Sequence, residues 1–267
     1  MSGTMLSPNL DRQMWPAVVA HRGASARYPE NTLPSFAGAL EAGADLVELD
    51  VRLTADGVPV ILHDLDVSVT TDGSGLVHEL TLAEVKRLDA GKGRGERTEV
   101  PTLREALELV TGRAGVNIEI KNLPEEPAFD SPTEAAVEKA IATLNDVSFT
   151  GPVVMCSFNW LSIERARELA PEVATGFLTI AGIDPWASLA YVKSKGHPLV
   201  LPHVPALLSA GEAFVRDAHD DGVRVGTWTV DDPEDIERCF EMGVDAVATN
   251  DPAAAVPIRD RYRQAAG

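Results

Sequence analysis

Cysteine, aromatic side chains and positive charge are all scarce in this chain, and each shortage removes a class of explanation. Only two cysteines occur, Cys156 and Cys239. They fall on different expected elements, which excludes a disulfide framework of the small secreted type; both are expected reduced, as small apolar fillers. Aromatic residues make up 5% of a chain that is 45% hydrophobic, so the core must rest on Val, Leu, Ile and Ala. That composition suits a parallel sheet covered by helices. Lys and Arg number 23 against 41 Asp and Glu, a formal charge of -18. Such a balance disfavours binding to nucleic acid or to an anionic membrane surface. An anionic substrate needs local charge inversion, for which a bound metal, Arg22 and Lys121 are available.

Long apolar runs are also missing. Nowhere do about twenty apolar residues follow one another, as a membrane span requires. Met1 to Trp15 carries Pro8, Asp11, Arg12 and Gln13 with no continuous apolar segment, so no secretory signal is visible. The expectation is a soluble, cytoplasmic protein without stable membrane insertion. No repeat period of about 20 to 50 residues and no Gly-rich dinucleotide fingerprint can be found.

What the chain does have is regular alternation of strand and helix patterns, the mark of an α/β fold. Eight strands are expected: Ala17 to Ala20, Asp45 to Asp50, Val116 to Ile120, Pro152 to Cys156, Val173 to Phe177, Leu199 to Leu201, Val223 to Trp228 and Ala246 to Ala248. Helical patterns between them include Leu33 to Glu41, Leu103 to Val110, Thr133 to Leu144, Leu161 to Leu169, Ala210 to Ala218 and Pro233 to Met242. Eight strands with covering helices predict a (β/α)8 TIM barrel, with one domain over residues 1–267; such barrels typically run to about 250 residues. An open doubly wound sheet is the alternative.

A further apolar run, Val58 to Leu62, follows the strand ending at Asp50 after only Thr54-Ala55-Asp56-Gly57. Asp-Gly between apolar runs signals an antiparallel hairpin, since a parallel crossover needs about a dozen residues. The hairpin returns His63 toward Asp50, at the C-terminal mouth where barrel enzymes carry their sites. Residues 64 to 100 then exceed an ordinary strand-to-helix link. They hold a short helical candidate, Leu82 to Leu88, and a glycine-rich loop, Gly91-Lys92-Gly93-Arg94-Gly95, and are expected to form a small cap on the mouth.

Polar chemistry gathers where strands end: His21-Arg22-Gly23, then Glu48-Leu49-Asp50 with His63-Asp64, then Glu119-Ile120-Lys121. Residues two apart on a strand share a face, so Glu48 and Asp50 point one way while Val47, Leu49 and Val51 point the other. Glu119 and Lys121 repeat the arrangement. Acids flanked by Val, Leu and Ile cannot easily face water, and unpaired buried charge is costly. A shared divalent cation and an anionic substrate account for the set. An all-oxygen ligand set suits Mg2+ or Ca2+, which leaves His21 and His63 for proton transfer. Arg22 and Lys121 are candidates for contacting phosphoryl oxygens, and Trp228 for an apolar pocket wall. His203 and Cys156 also lie near strand ends without partners in sequence. Thr32, before Leu33-Pro34, is a candidate helix cap.

In this order the blocks resemble the glycerophosphodiester phosphodiesterase family over about Val18 to Pro252. The matching stretches are His21-Arg22-Gly23, Glu30-Asn31-Thr32, Glu48-Leu49-Asp50-Val51, the Thr54-to-Gly57 turn leading to His63-Asp64, Leu88-Asp89-Ala90-Gly91, Pro101-Thr102-Leu103, Glu119-Ile120-Lys121, Trp228-Thr229-Val230 and Thr249-Asn250-Asp251-Pro252. The resemblance implies a (β/α)8 barrel that hydrolyses glycerophosphodiesters with a divalent metal. It makes Glu48, Asp50 and Glu119 metal ligands, His21 and His63 an acid/base pair, and Arg22 and Lys121 phosphate contacts. An Asn often follows the Trp-Thr-Val triplet in the family, whereas Asp231 stands here.

The expected reaction cleaves a glycerophosphodiester to glycerol 3-phosphate and an alcohol. One histidine takes the nucleophile's proton and the other protonates the leaving alkoxide. The assignment of the two roles stays open, as does the nucleophile, the substrate's own 2-hydroxyl or water. A lysophospholipase D acting on longer lipid diesters and a non-catalytic phosphodiester-binding barrel are the rival readings.

Overall fold

In the computed structural model, residues 14–93 and 96–266 are described. Most of the N-terminal stretch read for a signal peptide, and Arg94-Gly95 of the glycine-rich loop, lie outside them. Strands β1 (Ala17–Ala20), β2 (Leu46–Leu53), β3 (Pro59–Ile61), β4 (Gly115–Ile120), β5 (Val153–Ser157), β6 (Ala174–Thr179), β7 (Leu199–Pro202), β8 (Arg224–Thr227) and β9 (Ala246–Thr249) form one sheet. Its order is β1-β9-β8-β7-β6-β5-β4-β2-β3, and a β1–β2 pairing closes it into a ring. Every pairing around the ring is parallel. The expected (β/α)8 barrel is therefore present. β1 lies where expected, and the other strand boundaries differ from the expected ones by at most three residues.

Alternation along each strand sorts the side chains as the period of two requires. Val47, Leu49, Val51, Val116, Ile118 and Ile120 face outward into a cluster shared with the helices. Ala17, Val19, Leu46, Val154, Leu199, Leu201 and Ala246 fill the barrel interior. The polar positions of β2 and β4 therefore sit on the inner face, above that apolar plug.

The covering helices are α1 (Leu33–Glu41), α2 (Leu82–Val85), α3 (Leu103–Val110), α4 (Ala135–Asp146), α5 (Trp160–Leu169), α6 (Pro185–Lys195), α7 (Val204–Ala210), α8 (Glu212–Asp220), α9 (Pro233–Glu241) and α10 (Pro252–Ala266). Thr32 caps α1, accepting the Ser35 N–H at 3.3 Å, with Pro34 in the first turn. The expected helix from Ala210 to Ala218 needs correction. α7 already ends at Ala210, and Gly211, at φ 75° and ψ -172°, turns the chain before α8 starts at Glu212. That φ is easily reached only by glycine. The helix expected over Leu82 to Leu88 is shorter, ending at Val85.

β3 is antiparallel to β2, with Val51 opposite Ile61 and Leu53 opposite Pro59, as the Asp-Gly turn predicts. Arg52 locks this hairpin: its Nε donates to the His63 carbonyl at 2.8 Å, and its two terminal nitrogens grip Glu126 at 2.6 and 2.8 Å. Beyond the hairpin, 3-10 turns at Val67–Val69 and Val77–Glu79 precede α2. Val60, Leu62, Val67, Val77, Val85, Ala90 and Val100 pack into a small apolar cluster of their own. The described residues of the segment after His63 thus pack around an apolar cluster of their own.

Candidate active site

His21 follows β1 directly, and its backbone N–H still pairs with Thr249 of the neighbouring β9 at 2.9 Å. Arg22 then takes φ 55° and Gly23 φ 83°. The bend lies flat on the first turn of α1. A Cβ at position 23 would come within 2.6 Å of the Ser35 backbone, so only glycine fits. Ser35 Oγ donates to the Arg22 carbonyl at 2.8 Å and the Ala24 N–H to the Ser35 carbonyl at 2.9 Å. This strapped loop aims the Arg22 N–H at Glu48 Oε2, 2.7 Å away.

Glu48, Asp50 and Glu119 are 3%, 0% and 7% exposed. β2 and β4 lie side by side with Asp50 opposite Glu119, so in-register pairing alone brings the three acids together. Each offers an oxygen within 4.8 Å of the others. Two cations are built in. Lys121 Nζ stands 3.1 Å from Asp50 Oδ1 and touches Glu119 Oε1. Arg22 Nε lies 3.3 Å from Asp50 Oδ2 while its Nη1 holds Glu30 at 2.8 Å. Asn31, buried and at φ 57°, donates to Asp50 Oδ2 at 2.7 Å.

The carboxylates respond differently to this setting. Asp50, although burial works against its charge, is held well below the usual carboxylate range by Lys121 and Arg22. Burial pushes Glu119 up to about 7 against the pull of Lys121. Glu48 rises well above its ordinary value through burial and the charges of Asp50 and Glu119. Burial opposes the Lys121 charge, yet Asp50 and Glu119 raise its pKa. Glu48 Oε1 is buried with no donor beside it, and Asp50 Oδ1 and Glu119 Oε1 have only the shared Lys121 ammonium. Three converging inward oxygens that share a single ammonium, two of them on acids that burial drives toward protonation, form a ligand set that fits a hard divalent cation.

His63 leaves β3 half-buried, with Nδ1 3.3 Å from Asp64 Oδ1. The Leu62 N–H donates to the Asp50 carbonyl at 3.0 Å, so the hairpin does return His63 beside the acids. Burial, then the Lys121 charge, lowers the His63 pKa. His21 is lowered in the same direction by burial and then by Arg22. Across the mouth, the Trp228 ring meets Phe158 edge-on at 5.2 Å and His203 at 4.9 Å. Its Nε1 donates to the Leu201 carbonyl at 3.1 Å. The Phe158 ring lies 5.7 Å from Lys121 Nζ, a cation–π contact that joins this aromatic wall to the acids.

All eight residues singled out from sequence, His21, Arg22, Glu48, Asp50, His63, Glu119, Lys121 and Trp228, therefore stand at the C-terminal mouth. Sequence reasoning passed over Asn31, read only as part of a helix start, and Phe158, which follows β5 without a motif. It gave no role to Asn250, quoted only within a family block, whose Oδ1 lies 2.8 Å from His21 Nδ1, nor to Asp231 behind it, noted only as a departure from the family's Asn.

Comparison with known proteins agrees in fold and in sequence. A glycerophosphodiester phosphodiesterase of Caldanaerobacter subterraneus subsp. tengcongensis is 38% identical over 248 residues, 90% of this chain and 96% of its own length. One from Bacillus altitudinis is 34% identical over 255 residues, covering 92% and 99%. The structure of an Oleispira antarctica phosphodiesterase in complex with the product sn-glycerol-3-phosphate superposes with a TM-score of 0.83 at 32% identity, covering 92% of this chain and 98% of that one. The profile of the glycerophosphoryl diester phosphodiesterase family matches residues 21–254, and the chain belongs to that family.

Proposed function

We propose that this protein hydrolyses a glycerophosphodiester to glycerol 3-phosphate and an alcohol, with the whole chain acting as one barrel domain capped by the segment of about residues 64 to 100. The carrying observation is the trio Glu48, Asp50 and Glu119, converging within 4.8 Å between two histidines at the mouth of the barrel. The names of the Caldanaerobacter relative and of the Oleispira product complex support the substrate class.

In this reading Glu48, Asp50 and Glu119 hold Mg2+ or Ca2+. Such a cation supplies Lewis-acid stabilisation of charge growing on the phosphoryl oxygens. The chain's own groups do the rest. Lys121 is neutralised on one side by Asp50 and Glu119, and its ammonium hydrogens are the donors available to a phosphoryl oxygen. Arg22 divides its guanidinium between Asp50 and Glu30, which fixes its plane and orients its remaining N–H groups. Trp228 and Phe158 exclude water from the side next to Lys121. One imidazole, His21 or His63, takes the nucleophile's proton as the new P–O bond forms. The other gives a proton to the departing alkoxide as the old P–O bond breaks. The lowered pKa of the histidines suits the one that accepts a proton, while the one that gives a proton acts from its protonated form; proton transfer of this kind contributes about 10²- to 10⁴-fold.

A second reading, in which the leaving alcohol is long and apolar, draws on the loops after β5 and β6. There Trp160, Ile180 and Ile183 are 55%, 57% and 44% exposed on the C-terminal face. The test is a metal-supplemented assay against glycerophosphodiesters, lysolipids and an aryl phosphodiester. Turnover of the first group alone supports the main reading, and preference for lysolipids supports the second. Binding without turnover of any of them contradicts both.

A further inference from the structure

The two histidines at the mouth differ in what stands behind them. Behind His21 lies a chain of three side chains from neighbouring strand ends. Ala20 of β1 is in register with Thr249 of β9, so the next residues, His21 and Asn250, emerge side by side. His21 Nδ1 is 2.8 Å from Asn250 Oδ1. Asn250 Nδ2 in turn donates to Asp231 Oδ2 at 2.6 Å, while the Asn250 backbone N–H and Thr249 Oγ1 donate to Asp231 Oδ1 at 2.7 and 3.0 Å.

A carboxylate accepts and an amide NH2 donates, so Asp231 admits one orientation of the Asn250 amide: nitrogen toward Asp231, oxygen toward His21. That oxygen carries no hydrogen. His21 Nδ1 must therefore be the donor, and its Nε2 is the bare nitrogen. Ser25 Oγ, 2.9 Å from the same oxygen and 2.8 Å from the His21 carbonyl, adds a second donor and leaves the direction unchanged. His63 Nδ1 instead faces a carboxylate directly, the adjacent Asp64 at 3.3 Å, whose charge favours the protonated ring that a proton donor needs.

We propose that Asp231 is a positioning residue: acting through Asn250, it fixes His21 as the Nδ1–H tautomer and so assigns Nε2 of His21 as the general base, leaving His63 to protonate the leaving group. This rests on the two-histidine hydrolysis proposed above. In the step, the hydroxyl or water nucleophile loses its proton to His21 Nε2 as its oxygen bonds phosphorus. The resulting imidazolium keeps its Nδ1–H on Asn250. His63, protonated at the start of the step, gives its proton to the departing alkoxide; His21 then releases a proton to solvent and His63 takes one up, so charge and protons balance over the turnover.

Asp231 is exposed and lines a solvent-open pocket of about 330 Å³ with Ser25, Glu30 and Asn250, so changing it does not disturb the core. Asp231→Asn keeps the shape and reverses the relay. The introduced carbonyl still accepts the Asn250 backbone N–H, and the introduced NH2 faces the Asn250 side chain. That amide must then turn over and present N–H to His21, enforcing the Nε2–H tautomer. Adding Asn250→Asp restores an acceptor on both sides.

Two-bond 15N–1H correlation spectra of the full chain, with the His21 signals assigned by their loss in His21→Gln, read the tautomer directly. Turnover of glycerophosphocholine is measured in parallel. The wild type should show Nδ1–H. D231N should show Nε2–H with kcat down tenfold or more and KM within about twofold. The double variant D231N/N250D should recover Nδ1–H and most of kcat. A wild type that turns over the diester with an Nε2–H His21, or a D231N protein unchanged in tautomer and rate, overturns this inference and leaves the phosphodiesterase reading standing. A double variant no faster than D231N also overturns it. No turnover by the wild type overturns both.

Discussion

Glu48 shows how one side chain can be poorly placed for the empty fold and well placed for a bound cation. One oxygen is satisfied by the Arg22 N–H, and the other is buried with no donor beside two further carboxylates. Glu48→Gln keeps the shape and the first hydrogen bond while removing the ionisable group. Metal affinity should fall tenfold or more, about 1.4 kcal/mol, and the melting temperature in chelator should hold or rise slightly. Calorimetric titration and thermal melts decide it; a collapse of the chelated protein would mark Glu48 as structural. For the histidines, His21→Ala and His63→Ala should each lower kcat by about two orders of magnitude or more with the metal still bound. An aryl alcohol leaves with little protonation. His63→Ala should therefore recover much of its rate on an aryl phosphodiester, and His21→Ala should stay slow on both substrates. Less than a tenfold effect of both changes on a natural diester would contradict proton transfer by these groups. The acids were legible because period-two alternation set them among Val, Leu and Ile. The roles of Asn250, Asp231 and Asn31 were not, because their partners come from other strand ends and the short blocks that contain or adjoin them do not show what they touch.

At the scale of elements, helices with a clear apolar stripe and a start signal were legible. α1 and α3 begin and end where the pattern places them, behind Thr32 and Thr102. α6 lacked such a stripe: Trp186, Leu189, Tyr191 and Val192 surround the helix, with Trp186 exposed. α10 was hidden by Pro257 in its interior, and α7 is only seven residues long. The link from α6 to β7 carries a further consequence. His197 is 2% exposed, its Nδ1 lies 2.7 Å from Thr175 Oγ1, and its Nε2 is buried without a partner. Burial, then Arg167, lowers its pKa to about 4. An unfolded histidine titrates near 6.5, so the neutral ring stabilises the fold fully above about pH 6.5. That contribution is lost progressively as pH falls from about 6.5 to about 4, because the unfolded chain takes up the proton first. Between pH 7 and 4.5 it amounts to about 2 kcal/mol. Denaturation of His197→Asn should show a stability loss over that interval smaller by roughly this amount; an equal loss in both proteins would show that His197 does not titrate in this way.

For the whole molecule, closure matters most. The β1–β2 pairing turns nine strands into a ring with one antiparallel flap, and the ring brings residues 21, 48, 63, 119, 228 and 250 to one mouth. Strand count and alternation made this barrel legible, since eight apolar runs separated by helical patterns leave few other arrangements. The cap was legible as an excess of chain but not in its packing, because its apolar cluster draws single residues from turns and short helices. Among the described residues no helix is long and apolar enough to cross a membrane. The central requirement is that three converging acids work through a divalent cation. The direct measurement is release of glycerol 3-phosphate from glycerophosphocholine by protein stripped of metal, in chelator and after adding back Mg2+ or Ca2+. Turnover should vanish in chelator and return with one of these cations. Full activity in protein verified to be metal-free would contradict the assignment of Glu48, Asp50 and Glu119.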